Sequence, residues 1–135
     1  MAEKEVWKDF KAWIPGDTIR FETRERGGIP DLNYCLPNGS SGWVEAKFIE
    51  DFPKIFNTRV ETGLRGDQAL FLNRRWKVGG KAFLITRVES MNADYLTSGE
   101  FVIDLVLKGV PFIRFEHISI KCPIKEKMQN FIPYL

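Results

Sequence analysis

The chain has 135 residues, of which 44% are hydrophobic and 28% are charged, and this length fits one globular domain over residues 1–135. Its formal net charge of +2 is too small to indicate a polyanionic partner by itself. No apolar run approaches the roughly 20 residues of a membrane span, and Cys35 and Cys122 lack the spacing of a zinc site or a disulfide framework, so we expect a soluble protein of the reducing cytoplasm.

The beginning of the chain predicts a helix followed by a strand. Residues 2–13 carry apolar side chains at helical spacing, and Pro15-Gly16 ends this pattern. Residues 18–26 alternate between apolar and charged side chains, which is typical of a strand with one charged face. That face carries Arg20, Glu22, Arg24 and Arg26. Its arginines either pair with the carboxylate or remain available to an anionic ligand.

Two short strands joined by a turn come next. Residues 29–36 and 42–48 are predicted strands, and the glycine- and serine-rich segment between them supplies the turn chemistry. Side chains two positions apart on a strand share a face, so Glu45 and Lys47 project together. Asp31 lies fourteen residues before Glu45, and the hairpin can bring their carboxylates side by side.

This pair of carboxylates and the neighbouring ammonium suit a divalent metal ion. Mg²⁺ prefers one or two carboxylates, water and phosphate oxygens in an octahedral shell, and the Ala46 carbonyl can add a third protein ligand. We expect Mn²⁺ to substitute for it. A bound ion acidifies water and stabilises charge on an attacked phosphate, while Lys47 would orient the water or neutralise the phosphate. The site therefore suits phosphodiester hydrolysis, and whether Lys47 also acts as the base is open.

A long loop and a second helix follow the hairpin. The stretch 49–63 has no clear period and is predicted to be an irregular loop, long enough to suggest a functional role. Residues 67–78 predict a helix that Asp67 caps at its start and Gly79-Gly80 at its end. Gln68 would then lie in the first turn, angled towards the sheet.

Further strands complete the predicted sheet. Residues 81–88 predict a strand buried on both faces, whereas 101–107 and 112–120 are predicted to be further strands or a strand with a helix. The order of helix, three strands, helix and strand indicates an α/β fold with a central mixed sheet of four or more strands flanked by helices.

Two motifs give this chain a resemblance to a known family. Gly28-Ile29-Pro30-Asp31, followed by Trp43-Val44-Glu45-Ala46-Lys47, resembles the motif of the PD-(D/E)XK nuclease superfamily. The likeness is greatest to its small branches, the Holliday-junction resolvases and the phage-type VRR-NUC proteins, and it covers about residues 5–88. The resemblance implies a single nuclease-like domain with a restriction-endonuclease-like αβββαβ core.

The resemblance also implies roles for individual residues. The implied site consists of the metal ligands Asp31, Glu45 and Ala46, the catalytic cation Lys47 and the supporting Gln68. Members of the family carry a further carboxylate on the first helix, and Glu5 is the expected match. Glu22 on the first strand is the alternative.

Positive charge is concentrated after the predicted site. Seven lysines and arginines against two acids give residues 54–81 a charge of +5, so the rest of the chain sums to −3. Cations beside an acidic site would offset its charge and allow phosphates to approach. The candidate DNA contacts are Arg20, Arg24, Arg59, Arg65, Arg74 and Arg75. For the last two, a solvated helix face explains the charges equally well.

Together these features predict an Mg²⁺-dependent endonuclease for branched DNA in recombination or repair, in the host cytoplasm if a phage encodes it. A resolvase that cuts a four-way junction symmetrically needs two sites, which predicts a homodimer formed through the first helix or residues 131–135. A flap or repair nuclease of VRR-NUC type could act as a monomer. The alternatives of other classes are a DNA-binding module without cleavage and a structural or regulatory protein without a nucleic-acid role.

Overall fold

The computed structural model describes residues 2–22, 27–55 and 57–135. Over these ranges six strands form one sheet in which neighbouring strands follow chain order. The strands are β1 (Asp17–Arg20), β2 (Leu32–Cys35), β3 (Ser41–Ile49), β4 (Lys81–Val88), β5 (Ala93–Ser98) and β6 (Ser119–Pro123). β3 and β4 run parallel, and the other neighbouring pairs run antiparallel.

Helices flank this sheet. The α-helices are α1 (Ala2–Trp13), α2 (Gly66–Lys77) and α3 (Phe112–Ile118), and shorter 3-10 or π-helical turns span Glu89–Met91, Asp104–Lys108, Ile124–Glu126 and Gln129–Tyr134. The mixed sheet with flanking helices confirms the predicted α/β class, and the order from α1 to β4 matches the predicted αβββαβ order. Across the described ranges, no helix combines the length and apolar character needed to cross a membrane.

The two faces of the sheet bury separate apolar cores. On one face Phe10 of α1 shares a core with Ile85 of β4, and both side chains are fully buried. On the other face Leu72 of α2 shares a core with Leu84, the preceding β4 residue. Successive β4 side chains therefore enter opposite cores, which confirms the strand buried on both faces. Each such side chain contributes about 1.5–3 kcal/mol through burial.

A buried ion-pair network fastens α1 to the sheet. Arg87 of β4 donates from Nε and Nη2 to the two carboxylate oxygens of Asp94 on β5, at 2.8 and 3.1 Å. Its Nη1 donates to Asp9 of α1 at 2.7 Å. Because Asp94 is fully buried, its charge depends on this bidentate partner.

The predicted strand over residues 18–26 is shorter in the structure. β1 ends at Arg20, which pairs with Leu32, the first residue of β2. Phe21 adds one further backbone hydrogen bond, from its N–H to the Asp31 carbonyl at 2.8 Å. Residues 23–26 of the predicted strand lie outside the described residues. Arg20, the described arginine of the predicted charged face, therefore lies beside the start of the hairpin.

The long loop is irregular, as predicted, but it packs onto the protein. From Asp51 to Arg65 its described residues contain an isolated bridge between Arg59 and Pro111 and no longer strand or helix. Val60 is almost fully buried in the core beneath α2, and its N–H donates to the Val110 carbonyl at 2.8 Å. The loop is therefore fixed along this part of its course.

The region after β4 differs most from the predictions. β5 was not predicted, and the strand predicted over 101–107 is wrong because this stretch contains the π-helical turn Asp104–Lys108. Buried Val102 and Leu105 are three residues apart, which is helical spacing, and β6 already occupies the free edge of β5. The stretch 112–120 divides into α3 and the beginning of β6, so the alternative of a strand with a helix is the one that holds here.

The C-terminal segment is part of the core. Phe131 and Leu135 are buried in the same apolar core as α1. Lys81 Nζ donates to the Leu135 carbonyl at 2.8 Å, and the Ser40 hydroxyl donates to the same oxygen at 2.8 Å. The suggestion that residues 131–135 supply a dimer interface is therefore wrong for these two side chains, because their apolar surface is already covered within the chain.

Candidate metal centre

The hairpin places Asp31 beside Glu45, as the spacing predicted. β2 and β3 pair antiparallel, and the pairing ends with Leu32 opposite Val44. The next residues beyond this pair are Asp31, just before β2, and Glu45 on β3. Asp31 then turns its carboxylate to the facing strand, where Oδ2 accepts a hydrogen bond from the Ala46 N–H at 2.8 Å. The backbone of β3 thus fixes one oxygen of this carboxylate.

Three carboxylates converge at this point. Glu3 of α1, Asp31 and Glu45 each offer an oxygen, and these oxygens all lie within 4.8 Å of one another. Glu45 is only 2% exposed, whereas the other two are partly exposed. Carboxylate oxygens at this spacing are the hard ligands that Mg²⁺ and Mn²⁺ accept, so the donor set fits such an ion.

The carboxylate that α1 contributes to this group is Glu3, whereas the resemblance led us to expect Glu5. Glu3 stands three and seven positions before the buried residues Val6 and Phe10, so it lies on the side of α1 that faces the sheet. Glu5 is exposed and stands outside this group of three. The spacing to Val6 and Phe10 is the sequence signal that would have identified Glu3. Glu22, the alternative, lines the same cavity but also stands outside the group.

Lys47 lies beside two of these acids. Its Nζ is 3.5 Å from Glu45 Oε2 and 3.7 Å from Glu3 Oε1, and its side chain is only 10% exposed. The period of two along β3 puts it on the face of Glu45, as predicted. Gly63 of the long loop lies against the stem of this side chain, since a Cβ at that position would be 3.9 Å from Lys47 Cδ.

Gln68 connects α2 to the centre. Its Nε2 donates to Glu45 Oε2 at 3.3 Å, and its Oε1 accepts the Arg65 N–H at 3.0 Å, which fixes the orientation of the amide. The expected contact with a site carboxylate is therefore present. The helix begins one residue earlier than predicted, with Arg65 as its N-cap residue. Asp67 lies inside the first turn, where its carboxylate accepts from the Gln68 N–H at 2.9 Å.

Glu45 has a strongly raised pKa because its carboxyl is buried beside another acid. Burial, followed by the negative charge of Asp31, raises the pKa of Glu45 to about 9, although the nearby Lys47 opposes the shift. At neutral pH this carboxyl therefore holds a proton unless additional positive charge arrives. A divalent cation among the three acids would provide that charge and allow Glu45 to ionise.

The predicted DNA-contacting arginines divide into separate groups. Arg20 lines the cavity, with Nη2 3.6 Å from Asp31 Oδ1 and its guanidinium 4.8 Å from the ring centroid of Trp7. Arg65 also lines it and pairs with Asp67, Nε to Oδ1, at 3.2 Å. Both can meet an anion that enters the site.

The other predicted contacts lie elsewhere. Arg59 borders a different cavity and donates from Nη2 to the Val106 carbonyl at 3.0 Å. Arg74 and Arg75 lie on the exposed face of α2, outside the carboxylate cavity. Arg24 lies outside the described residues. Proximity to the centre therefore supports only Arg20 and Arg65 among the described candidates.

These side chains surround a polar cavity of about 340 Å³. Its wall combines the three acids, Lys47 and Gln68 with the cationic Arg20 and Arg65, and the loop before Asp31 closes one side. The cavity can hold a cation at its floor and an anionic group above it.

Comparison with known proteins adds no relative to this description. No family model matches the sequence, and no curated protein matches it.

Proposed function

We propose that this protein is a divalent-metal-dependent endonuclease that hydrolyses phosphodiester bonds in branched DNA. The single observation that carries the proposal is the convergence of Glu3, Asp31 and Glu45 within 4.8 Å, with the Lys47 ammonium 3.5 Å from Glu45. Asp31, Glu45 and Lys47, the motif residues that resemble the PD-(D/E)XK superfamily, thus line one cavity although Asp31 is fourteen residues distant from Glu45 in sequence.

The residues of the centre have distinct roles in this proposal. Glu3, Asp31 and Glu45 would hold Mg²⁺ or Mn²⁺, and the Ala46 carbonyl would be an additional ligand. When bound, the ion supplies charge neutralisation at the phosphate and lowers the pKa of water. Lys47 donates a hydrogen bond and positive charge to the attacked phosphate or to the attacking water.

The surrounding groups position these residues and the substrate. Gln68 holds Glu45 Oε2, so this oxygen has a fixed direction before any ligand arrives. Arg20 and Arg65 bring cations to the cavity wall, where they offset the acids as a phosphate backbone approaches.

The cleavage experiment compares labelled four-way junction, flap, linear duplex and single strand, each with Mg²⁺ or Mn²⁺. We expect scission of the branched substrates, loss of scission in Lys47→Ala, and near-normal scission in Glu5→Gln, the matched variant outside the carboxylate group. Circular dichroism melts establish that each variant folds. If the wild type cuts none of the four DNAs, the enzyme proposal fails and a DNA-binding module without cleavage remains.

The expected oligomeric state depends on which branched DNA is the substrate. Symmetric cutting of a four-way junction requires two centres and hence a homodimer, whereas a flap nuclease works as a monomer. Sedimentation of the protein with and without junction DNA separates these forms. A DNA substrate also implies a cytoplasmic site of action, in the host cell if a phage encodes the chain.

A structural or regulatory protein without a nucleic-acid role would show no salt-dependent binding to DNA. DNA binding through Lys and Arg weakens with salt, with a slope proportional to the number of phosphates contacted. Absence of any salt-dependent DNA retention would remove both the nuclease and the DNA-binding proposals.

A further inference from the structure

A second depression runs along the outer face of α2, separate from the carboxylate cavity. This α2 groove has a volume of about 810 Å³ and is lined chiefly by Leu70, Phe71, Arg74, Arg75, Lys77 and Val78. These residues recur at three- and four-residue spacing, so they form one stripe along the helix. The helix Gly66–Lys77 has 12 residues and is therefore about 18 Å long, which is enough to contact several consecutive nucleotides.

The groove combines positive charge with exposed apolar surface. Three cations line it, and the one acid in its wall, Asp67, is already paired with Arg65 at 3.2 Å. On either side of these cations along the helix, Leu70 and Val78 expose 55% and 83% of their surface. Duplex DNA presents mainly phosphates at such a surface, whereas an unpaired strand presents both phosphates and the apolar faces of its bases.

Arg75 provides a flat surface on the groove wall. Its guanidinium lies 5.1 Å from the ring centroid of Phe71 and 5.9 Å from that of Trp43, and the two rings contact each other edge to face at 5.3 Å. These contacts hold a planar cation against an aromatic pair. Unstacked bases bind to arginine planes and aromatic rings of this kind.

The groove and the carboxylate cavity meet at the start of α2. Gly27 lines the groove and Gly28 lines the cavity, and both contact Asp67. A Cβ at Gly28 would lie 2.4 Å from the Asp67 carbonyl oxygen, so the loop packs directly on the helix only because this residue is glycine. A strand bound in both depressions would therefore cross the protein near these two glycines.

We propose that the α2 groove binds an unpaired DNA strand next to the scissile phosphate. The inference rests on the proposed nuclease function and narrows its substrate to DNA with a single-stranded arm. The cations contact the phosphates of that arm, and Leu70, Val78 and the Arg75 plane contact its bases.

The test measures binding without cleavage, by fluorescence anisotropy in chelator with a labelled oligothymidine and a labelled duplex of equal length. For Leu70→Ser/Val78→Ser we expect about a tenfold loss of affinity for the single strand and little change for the duplex, because base contacts are lost but cations remain. For Arg74→Gln/Lys77→Gln we expect a weaker interaction with the single strand and a salt slope lower by about 1.4. The matched control is Lys121→Gln/Lys125→Gln, which removes two exposed charges in and just after the edge strand β6, outside the groove, and should bind both DNAs like the wild type.

Two results would overturn the groove proposal. One is unchanged single-strand affinity in both groove variants, and the other is an equal loss for single strand and duplex in Leu70→Ser/Val78→Ser. The cleavage assay keeps this question separate from the nuclease proposal. If the wild type cuts DNA but the groove variants bind the single strand normally, only the groove proposal is rejected. If the groove variants selectively lose single-strand binding but the wild type cuts no DNA, only the nuclease proposal is rejected.

Discussion

The Asp31 carboxylate accepts a hydrogen bond from the backbone N–H of Ala46 at 2.8 Å. A candidate metal ligand therefore also connects the segment before β2 to β3. The opposite oxygen faces Arg20 at 3.6 Å. Asp31 therefore has a structural contact and a proposed chemical role, and substitutions can separate the two.

We expect Asp31→Asn to abolish cleavage and retain the fold. The Asn amide oxygen can still accept the Ala46 N–H. Loss of the Asp31 charge also removes one cause of the raised pKa of Glu45, and with it part of the free energy that folding costs by keeping Glu45 protonated. The melting temperature in chelator should equal or exceed that of the wild type. A large decrease would instead make the Asp31 charge a structural requirement.

Asp31→Ala should behave differently from the Asn variant. It leaves the Ala46 N–H, which is buried, without its acceptor, and we expect a loss of about 1–3 kcal/mol in the free energy of unfolding. Urea denaturation of both variants in chelator checks this difference. Equal stability of the Ala and Asn variants would show that the hydrogen bond contributes little.

The stability of the metal-free protein should fall as pH rises from about 5 to 9. Burial raises the pKa of Glu45 from 4.5 to about 9, so above pH 4.5 the unfolded state loses a proton that the folded state keeps. One such group can change stability by at most about 1.4 kcal/mol per pH unit. Glu45→Gln removes this titration, and its melting temperature in chelator should decline less between pH 5 and pH 8 than that of the wild type. Parallel declines would contradict the assigned pKa shift.

The two N-terminal glutamates provide a matched pair for metal binding. Glu3→Gln should lower Mn²⁺ affinity at least about tenfold, because it removes one of three converging carboxylates. Glu5→Gln should bind like the wild type, since that side chain is exposed and outside the group. Isothermal titration calorimetry with Mn²⁺ measures both. A larger loss of Mn²⁺ affinity in Glu5→Gln than in Glu3→Gln would instead identify Glu5 as the metal ligand on the first helix.

Gln68 and Asn73 offer a second matched pair, because both are buried amides on α2. Gln68 donates to Glu45, whereas Asn73 donates to the Gly99 carbonyl at 2.9 Å, away from the centre. We expect Gln68→Ala to reduce the cleavage rate about 10- to 100-fold. Asn73→Ala should lower thermal stability and leave the cleavage rate per folded molecule near the wild-type value. Similar rate losses in both would indicate a general effect of helix destabilisation.

The parts of this structure that were predictable from the sequence depend on local patterns. The hairpin that unites Asp31 and Glu45 follows from two strand patterns and a turn-rich segment, and the end of α2 follows from Gly79-Gly80. Such signals lie within a few residues of the feature that they determine. The site face of β3 was predictable for the same reason, because a period of two fixes the side of Lys47 relative to Glu45.

The remaining parts depend on distant partners. Glu3 becomes a member of the centre only because α1 docks onto the sheet, where Arg87 holds Asp9 at 2.7 Å. β5 contains the polar residues Asp94 and Thr97 in fully buried positions, so its sequence lacks the apolar run of a central strand. Asp94 is acceptable there because Arg87 lies on the neighbouring strand, and a single-sequence pattern does not contain that information.

The division of the centre between two segments has a consequence for assembly. One carboxylate comes from the N-terminal helix and two come from a hairpin nearly thirty residues further along, so an ion gripped by all three would act as a non-covalent cross-link between them. Removal of the ion would weaken the docking of that helix first. Amide hydrogen exchange would then be faster in the first turn of the helix than in the middle of the sheet. Binding of an ion at this centre would then stabilise the docking of the N-terminal helix on the sheet.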